Sequence, residues 1–319
     1  MPAAQRPPDA WPRPVPNIGD RSSAVARAAD PAGWAFPAEE RQVLHRILAA
    51  RRDIRRFRPD PVGEDILARV LAAAHTAPSV GHSQPWRFVL VTDATTRTRA
   101  AVLADRARLA QAQAMTPEAG RHLLDLDLEG IREAPLGLVV CCDRRVAPAG
   151  VLGRATFVDA DMWSCACAIE NLWLAARAEG LGVGWVTLFE PEELAGLVGA
   201  PEGVATLGWL CLGWPDERPP APGLERRGWS QRLSLDDLVV RERWGVGEVP
   251  KPPVSRLSAP PPPAVVAAHD SGDRILTAPG SLGALDRAID RVLALGPPPA
   301  GGTLVMAAAD HPVTAHGVS

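Results

Sequence analysis

The chain has 319 residues, of which 46% are hydrophobic, and its formal net charge is −3. That length suffices for one large domain or two modest ones, and the nearly neutral charge gives no general field for nucleic acid. No apolar run reaches the ~18 residues of a membrane span, and the N-terminus lacks the apolar core of a signal peptide. We therefore expect a cytoplasmic protein without nucleic acid or membrane partners.

The cysteines support the same compartment. They are Cys141, Cys142, Cys165, Cys167 and Cys211, each within an apolar run. None has CxxC or Cys/His metal spacing, and the histidines also lack ligand spacing, so no metal site is predicted. Buried reduced thiols are typical of a reducing cytoplasm.

The order of elements predicts one layered domain after a mobile tail. Residues 1–37 are rich in Pro, Ala and Arg without periodicity, which favours the tail. Apolar residues at helical spacing predict helices at 40–50, 63–75, 95–113, 118–132, 158–179 and 191–198. Apolar runs predict strands at 86–92, 136–142, 184–189 and 205–213. Helices interleaved with three or four strands indicate an α/β or α+β domain over residues 38–244.

The remaining residues form two further segments. Residues 245–263 are rich in proline, which predicts a stiff linker. Residues 264–319 contain a helical stretch and a strand-like run, but about 55 residues are marginal for an independent core. We therefore interpret this last segment as an incomplete domain.

An arginine cluster, RRDIRRF, is the first candidate for a ligand site. Arg51, Arg52 and Arg55 could converge on a phosphate, since guanidinium groups match its geometry. For three arginines alone, a solvated basic helix end is the simpler interpretation.

A turn with an amide and an indole is the second candidate. Ser79 in a Pro-Ser-x-Gly turn could donate to the same ligand, although such a serine is more often only a turn residue. Gln84, two residues before Trp86, suits a flat heteroaromatic ligand, although an amide that caps a loop is nearly as common. The helix at 63–75 would carry the arginine cluster and this turn to one surface.

Asp53 and Thr187 complete the candidates. A carboxylate among arginines should be ionised and is usually only an ion-pair partner, but over a redox ligand Asp53 becomes a candidate acid or base. Thr187, in isolation, is a good residue for the middle of a strand. The dinucleotide, NTPase and hydrolase motifs are missing from the sequence, so an enzyme with this inventory needs a reactive cofactor.

Five motifs in this order resemble a known family. They are RRDIRRF, APSVGHSQPWRF, LDLEGIREAP, GVGWVTLFEPEEL and LGWP with LERRGW. The combination resembles the nitroreductase fold and, more narrowly, the flavin-consuming 5,6-dimethylbenzimidazole synthases. The resemblance covers residues 36–244. It implies an α+β fold with a central, mainly antiparallel sheet flanked by helices, and FMN at a homodimer interface.

The family resemblance also implies a reaction. Reduced FMN would serve as the substrate and would be fragmented with O2 to 5,6-dimethylbenzimidazole, the lower ligand of cobalamin, and a four-carbon sugar phosphate. A separate flavin reductase that uses NAD(P)H would supply the electrons. The alternatives are an NAD(P)H-dependent FMN nitroreductase and a non-catalytic protein that binds flavin or benzimidazole.

The site residues implied by the resemblance can be named in this chain. Asp53 would assist proton transfers, because the synthases have Asp where ordinary nitroreductases usually have Ser. Thr187 stands where the synthases generally have Ser, so its hydroxyl is retained and a methyl group is added. The implied FMN contacts are Arg51, Arg52, Asp53, Ile54, Arg55, Ser79 and Leu188, and the planar amide of Gln84 adds a further candidate contact.

Residues 264–319 resemble a second family. DSGDRILTAPGSLGALDRAIDRVLAL and MAAADHPVTAHGVS are similar to the N-terminal part of nicotinate-nucleotide–dimethylbenzimidazole phosphoribosyltransferases. The catalytic Glu of that family lies near its C-terminus, which this segment does not reach. The resemblance therefore implies no transferase activity for this segment.

Overall fold

A computed structural model describes residues 17–243 except 127 and 129. The predicted linker at 245–263 and the segment at 264–319 lie outside the described residues, as do positions 1–16 of the predicted tail. The chain divides into two units, one ending at Ala49 and the other beginning at Ala50.

The first unit is helical where it is described. Helix α1 (Ala24–Ala29) lies inside the predicted tail. Ser23 caps its N-terminus, because the Ser23 hydroxyl oxygen accepts a hydrogen bond from the Ala26 amide. Helix α2 (Ala38–Ala50) confirms the helix expected at 40–50 and begins two residues earlier. Its side chains Val43, Leu44 and Leu48 are exposed, and Ile47 is half-buried.

The second unit contains a four-stranded antiparallel sheet, as the family resemblance implied. The strands are β1 (Trp86–Val91), β2 (Leu136–Asp143), β3 (Gly182–Val186) and β4 (Val204–Gly213). Their order in the sheet is β1-β2-β4-β3, so β1 and β3 form its two edges. Strand β2 is buried along Leu136–Cys142 because helices cover both faces of the sheet.

Two core layers explain the helix placement. The helices are α3 (Glu64–His75), α4 (Ala94–Gln113), α5 (Pro117–Asp125), α6 (Ala160–Ala178), α7 (Pro191–Leu197) and α8 (Gly223–Arg226). Side chains from α3 and α6 pack on one face of the sheet, and side chains from α4 and α7 pack on the other. This arrangement follows from the period-2 pattern of the strands, which sends alternate side chains to opposite faces.

Three sequence expectations were wrong in detail. Helix α5 ends at Asp125 and not at 132, because Leu126 has an extended backbone (φ −78°, ψ 135°) that stops helical hydrogen bonding. Strand β3 covers Gly182–Val186 and not 184–189, since its pairing with β4 ends opposite Trp209. Cys167 is exposed and not buried, because its position on α6 faces away from the sheet. Within the described residues, the helices are too short or too polar to cross a bilayer.

Candidate active site

The segment Asp53–Arg55 lies against the outer edge of β3. The Ile54 amide donates to the Val183 carbonyl oxygen over 3.0 Å, and Asp53 forms a parallel bridge with Val183. The side chain of Ile54 is buried in the core. Ile54 can therefore contact a ligand only through its main chain.

Glycines of β3 make this close approach possible. A β-carbon at Gly182 would lie 2.9 Å from side-chain atoms of Ile54. A β-carbon at Gly184 would lie 2.3 Å from the Ile54 carbonyl oxygen, well inside the contact distance of any real side chain. The alternating glycines in GVGWV thus indicate where a second backbone segment lies close against the strand.

Asp53 is held at one of its carboxylate oxygens. Its Oδ1 accepts from the Arg55 guanidinium at 2.9 Å and from the Trp185 amide at 3.3 Å. The Asp53 side chain is 43% exposed. Within the described residues Oδ2 has no hydrogen-bond donor, so this oxygen is available to a ligand.

The arginines of the cluster differ in their surroundings. The Arg51 guanidinium lies over the Trp173 ring, 4.6 Å from its centroid, and has no hydrogen-bond acceptor among the described residues. Arg52 donates to the carbonyl oxygens of Arg51 (2.7 Å) and Pro220 (3.2 Å). A stacked guanidinium with unused donors is well suited to bind an anion.

Thr187 and Leu188 follow β3 and do not lie within it. The expectation that Thr187 stands in the middle of a strand was therefore wrong. Gly208 explains this break: it has φ of +105°, and a β-carbon there would lie 2.6 Å from the Val186 carbonyl oxygen. Thr187 is consequently exposed, and Leu188 is half-buried beside a small cavity next to Arg108 and Leu128.

Ser79 and Gln84 belong to a strained turn before β1. The hydroxyl oxygen of Ser79 accepts from the Gln84 amide at 3.0 Å. His82 (φ 53°) and Gln84 (φ 46°) both adopt the left-handed conformation, which costs non-glycine residues about 1–3 kcal/mol each. The turn is fixed to α6, because the Val80 amide donates to the Ser164 hydroxyl oxygen at 3.0 Å. Such strain is typical of functional turns.

The two groups of predicted site residues are not brought together within one chain. The Arg52 carbonyl oxygen accepts from Trp173 of α6, whereas the Ser79 turn is fixed at Ser164, nine residues earlier. At 1.5 Å per residue these anchors are roughly 14 Å apart along the helix. The first group lies at the β3 edge and the second precedes β1 at the opposite edge, about three strand spacings of ~4.8 Å away.

Sequence reasoning missed the groups that orient the arginine cluster. One carboxylate oxygen of Glu217 accepts from the Arg55 amide at 2.6 Å and from the Arg56 amide at 3.1 Å. The main chains of Trp185 and Leu128 also bind this cluster. The acidic residues directly after the LGWP motif were the sequence signal that could have identified Glu217. Main-chain partners give no such signal, because a residue of any type can supply them.

The site contains no recognisable metal centre. Over 17–243, leaving out 127 and 129, the His, Cys, Asp and Glu side chains form no group of three or more that could hold a metal ion. Its chemistry rests on cations, one carboxylate, one threonine hydroxyl and main-chain groups.

This combination of a four-stranded antiparallel sheet covered by helices and an arginine-rich edge defines an α+β protein with a candidate anion-binding site. The Nitroreductase family profile matches residues 48–214, more than half of the chain. The chain belongs to the nitroreductase family.

Two of the curated relatives share one more specific name within this family. The chain is 45% identical over 202 residues to a 5,6-dimethylbenzimidazole synthase of Rhodospirillum rubrum, covering 63% of this chain and 95% of the relative. It is 39% identical over 201 residues to a protein of the same name from Rhodobacter capsulatus, covering 63% and 97%. A putative NADH dehydrogenase/NAD(P)H nitroreductase of Archaeoglobus fulgidus is 28% identical over 206 residues.

A solved structure supports the fold. The structure of oxidized iodotyrosine deiodinase bound to FMN and 3-iodo-L-tyrosine superposes with a TM-score of 0.51 at 22% identity, covering 63% of this chain and 99% of that chain. At this level of identity the likeness concerns the fold alone.

Proposed function

We propose that this chain is a 5,6-dimethylbenzimidazole synthase, an oxidoreductase that fragments reduced FMN with O2 to 5,6-dimethylbenzimidazole and a four-carbon sugar phosphate. The observation that carries this proposal is Asp53, a carboxylate oriented at Oδ1 and open at Oδ2, beside an anion-binding cluster. The relatives with this name at 45% and 39% identity support the same activity.

The donor set of the site fits FMN. Arg51 has unused guanidinium donors for a phosphate, and its stacking on Trp173 restricts its orientation. Asp53 adds an acceptor for a flavin N–H group, and the half-buried Leu188 adds an apolar contact. These are the types of group that a ligand with one phosphate and one polar heteroaromatic ring requires.

Each residue has a defined role in this proposal. Arg51 binds the phosphate and fixes the position of the ligand, which is the main contribution of positioned binding groups to rate. Arg52 supports the adjacent main chain through its hydrogen bonds to the carbonyl oxygens of Arg51 and Pro220. Asp53 would accept or return a proton at Oδ2, and the exposed Thr187 would supply a hydroxyl for hydrogen bonding at the oxygen site. When bound, reduced FMN supplies both the electrons and the carbon skeleton of the product.

The separation of Ser79 and Gln84 from Asp53 favours a homodimer. Within one chain the two groups lie at opposite sheet edges. A second copy could bring its own Ser79 turn to the arginine cluster, so that one FMN is bound between two subunits. The Ser79 hydroxyl accepts from Gln84 and keeps its own proton to donate to the ligand.

The decisive experiment is a product assay. Purified protein, chemically reduced FMN and air should yield 5,6-dimethylbenzimidazole by mass spectrometry, and a separate NAD(P)H-dependent flavin reductase should replace the chemical reductant. Clean reoxidation to FMN without product would refute the synthase. Rapid reduction of FMN by NAD(P)H with this protein alone would favour the nitroreductase alternative. Tight FMN binding without either reaction would favour a non-catalytic carrier.

Asp53→Asn tests the role of the carboxylate. We expect it to bind FMN but to lose product by at least about 100-fold, the usual contribution of general acid–base catalysis. Asp60→Asn is a matched control, because Asp60 is an exposed carboxylate that pairs only with Arg58 among the described residues. A nitroreductase would tolerate both changes.

A further inference from the structure

Arg55 has contacts that distinguish it from a ligand-binding arginine. Its side chain is 15% exposed. The guanidinium Nη1 donates to the Leu128 carbonyl oxygen at 2.7 Å, and Nη2 donates to Asp53 Oδ1 at 2.9 Å and to the Trp185 carbonyl oxygen at 3.3 Å. Both terminal nitrogens are therefore already engaged within the chain.

The main chain of Arg55 is fixed as firmly as its side chain. Its amide donates to Glu217 Oε1 at 2.6 Å, and the preceding Ile54 amide donates to Val183. A β-carbon at Gly184 would lie 3.3 Å from Arg55 Nη1, so the guanidinium packs directly on the β3 backbone. Arg55 thus joins β3, Leu128 and Asp53 through hydrogen bonds.

We propose that Arg55 is a positioning residue for Asp53 and not a ligand of the FMN phosphate. Together with the Trp185 amide it holds Oδ1, which leaves Oδ2 of Asp53 available to the ligand. This inference rests on the proposed catalytic role of Asp53. It replaces the phosphate contact that the arginine cluster suggested for Arg55 and assigns that role to Arg51, whose guanidinium has no hydrogen-bond acceptor among the described residues.

The planar guanidinium matters for this role. Its fixed donors can bind one carboxylate oxygen and two carbonyl oxygens at once, whereas a lysine ammonium is a point charge on a flexible side chain. Without the Arg55 guanidinium, Asp53 Oδ1 keeps only the Trp185 amide as a donor among the described residues, and the carboxylate can rotate about its side-chain bonds. Misplacement of a catalytic group by about 1 Å can cost on the order of 100-fold in rate.

The first test separates phosphate binding from positioning. Dissociation constants for FMN and for riboflavin, which lacks the phosphate, are measured for wild type, Arg55→Met and Arg51→Met. We expect the ratio of the two constants to stay within about twofold of wild type in Arg55→Met and to change at least about tenfold in Arg51→Met. A tenfold change in Arg55→Met would overturn the proposal.

The second test follows the fate of the flavin. In air, the fraction of reduced FMN recovered as 5,6-dimethylbenzimidazole should fall at least about tenfold in Arg55→Met, with the remainder recovered as intact FMN. Arg56→Met is the matched control, because Arg56 is 69% exposed and its guanidinium pairs with Asp216, not with Asp53. Unchanged product recovery in Arg55→Met would contradict a positioning role.

A second variant protects the test against misfolding. Arg55→Lys keeps the charge but not the planar guanidinium. We expect it to lower product recovery at least about threefold without changing the ratio of the dissociation constants for FMN and riboflavin. Full recovery in Arg55→Lys would also overturn the proposal. If Asp53→Asn retains full product, the proposed function of Asp53 fails. If Asp53→Asn is inactive and Arg55→Met is fully active, only the positioning role fails.

Discussion

The Ile54 carbonyl oxygen approaches Gly184 so closely that a β-carbon at residue 184 would lie only 2.3 Å from it. The glycine at 184 therefore allows the Asp53–Arg55 segment to reach β3, where Trp185 binds both Asp53 and Arg55. A side chain at 184 would separate the candidate catalytic carboxylate from the main chain that orients it.

Gly184→Ala should destabilise the protein and reduce product formation. The added methyl group has backbone as its nearest neighbour, and backbone moves only at a cost of about 1–3 kcal/mol in the free energy of unfolding. Chemical denaturation measures this change. Gly196→Ala is the control: it lies in α7 with open space around it, so it should stabilise by about 0.5–1 kcal/mol. Equal stability of the two variants would contradict the close approach.

Ser79→Ala should loosen the turn before β1. The Gln84 amide loses its acceptor, which costs about 1 kcal/mol in the free energy of unfolding. FMN affinity should fall as well, since Gln84 loses the contact that fixes its left-handed backbone. Ser83→Ala controls for the local sequence, and it should stay within about 0.5 kcal/mol of wild type. Loss of stability without loss of FMN affinity would place the turn outside the ligand site.

Thr187 variants should separate its hydroxyl from its methyl group. Thr187→Ser keeps the hydroxyl and should retain product formation within about threefold. Thr187→Ala removes the hydroxyl and should lose at least about tenfold. Thr95→Ala, an exposed threonine on α4, should match wild type. Similar activities for the Ser and Ala variants would show that the hydroxyl has no role.

Trp163→Asp should weaken the proposed homodimer. Trp163 is 55% exposed on α6, and its ring centroid lies 5.6 Å from that of Phe157, which is 63% exposed. Exposed aromatic groups of this kind are typical of interfaces. Sedimentation should show a shift towards monomer together with weaker FMN binding. Val102→Asp, on the exposed side of α4, should remain as associated as wild type.

The Asp143 carboxyl should make stability depend on pH in acid. Hydrogen bonds from Arg145 are the main cause that lowers the pKa of Asp143 from 3.8 to about 2. A lowered pKa in the folded state stabilises it above pH ~4, and this contribution is lost as the pH falls towards about 2. The difference in unfolding free energy between wild type and Asp143→Asn should therefore shrink from pH 4 to 2. A constant difference would contradict the ion pair.

Most of the fold could be predicted from the sequence. The apolar periods predicted helices α3, α4, α6 and α7 and all four strands to within a few residues, because period and burial are properties of the local sequence. The prediction that the helix at 118–132 continues beyond Asp125 was wrong, and the Leu128 carbonyl oxygen instead accepts a hydrogen bond from Arg55. That partner comes from a distant part of the chain, so no local pattern could reveal it.

The sequence by itself determined the fold family and the types of group at the site: arginines, one carboxylate, a turn with serine and a threonine hydroxyl. Only the tertiary structure decided how these groups are used. It showed that Arg51 is stacked with unused donors, that Arg55 is bound to Asp53, and that Ser79 is fixed far from both. The physical reason is that residue type sets what a side chain can donate or accept, whereas long-range packing sets which partners remain for a ligand.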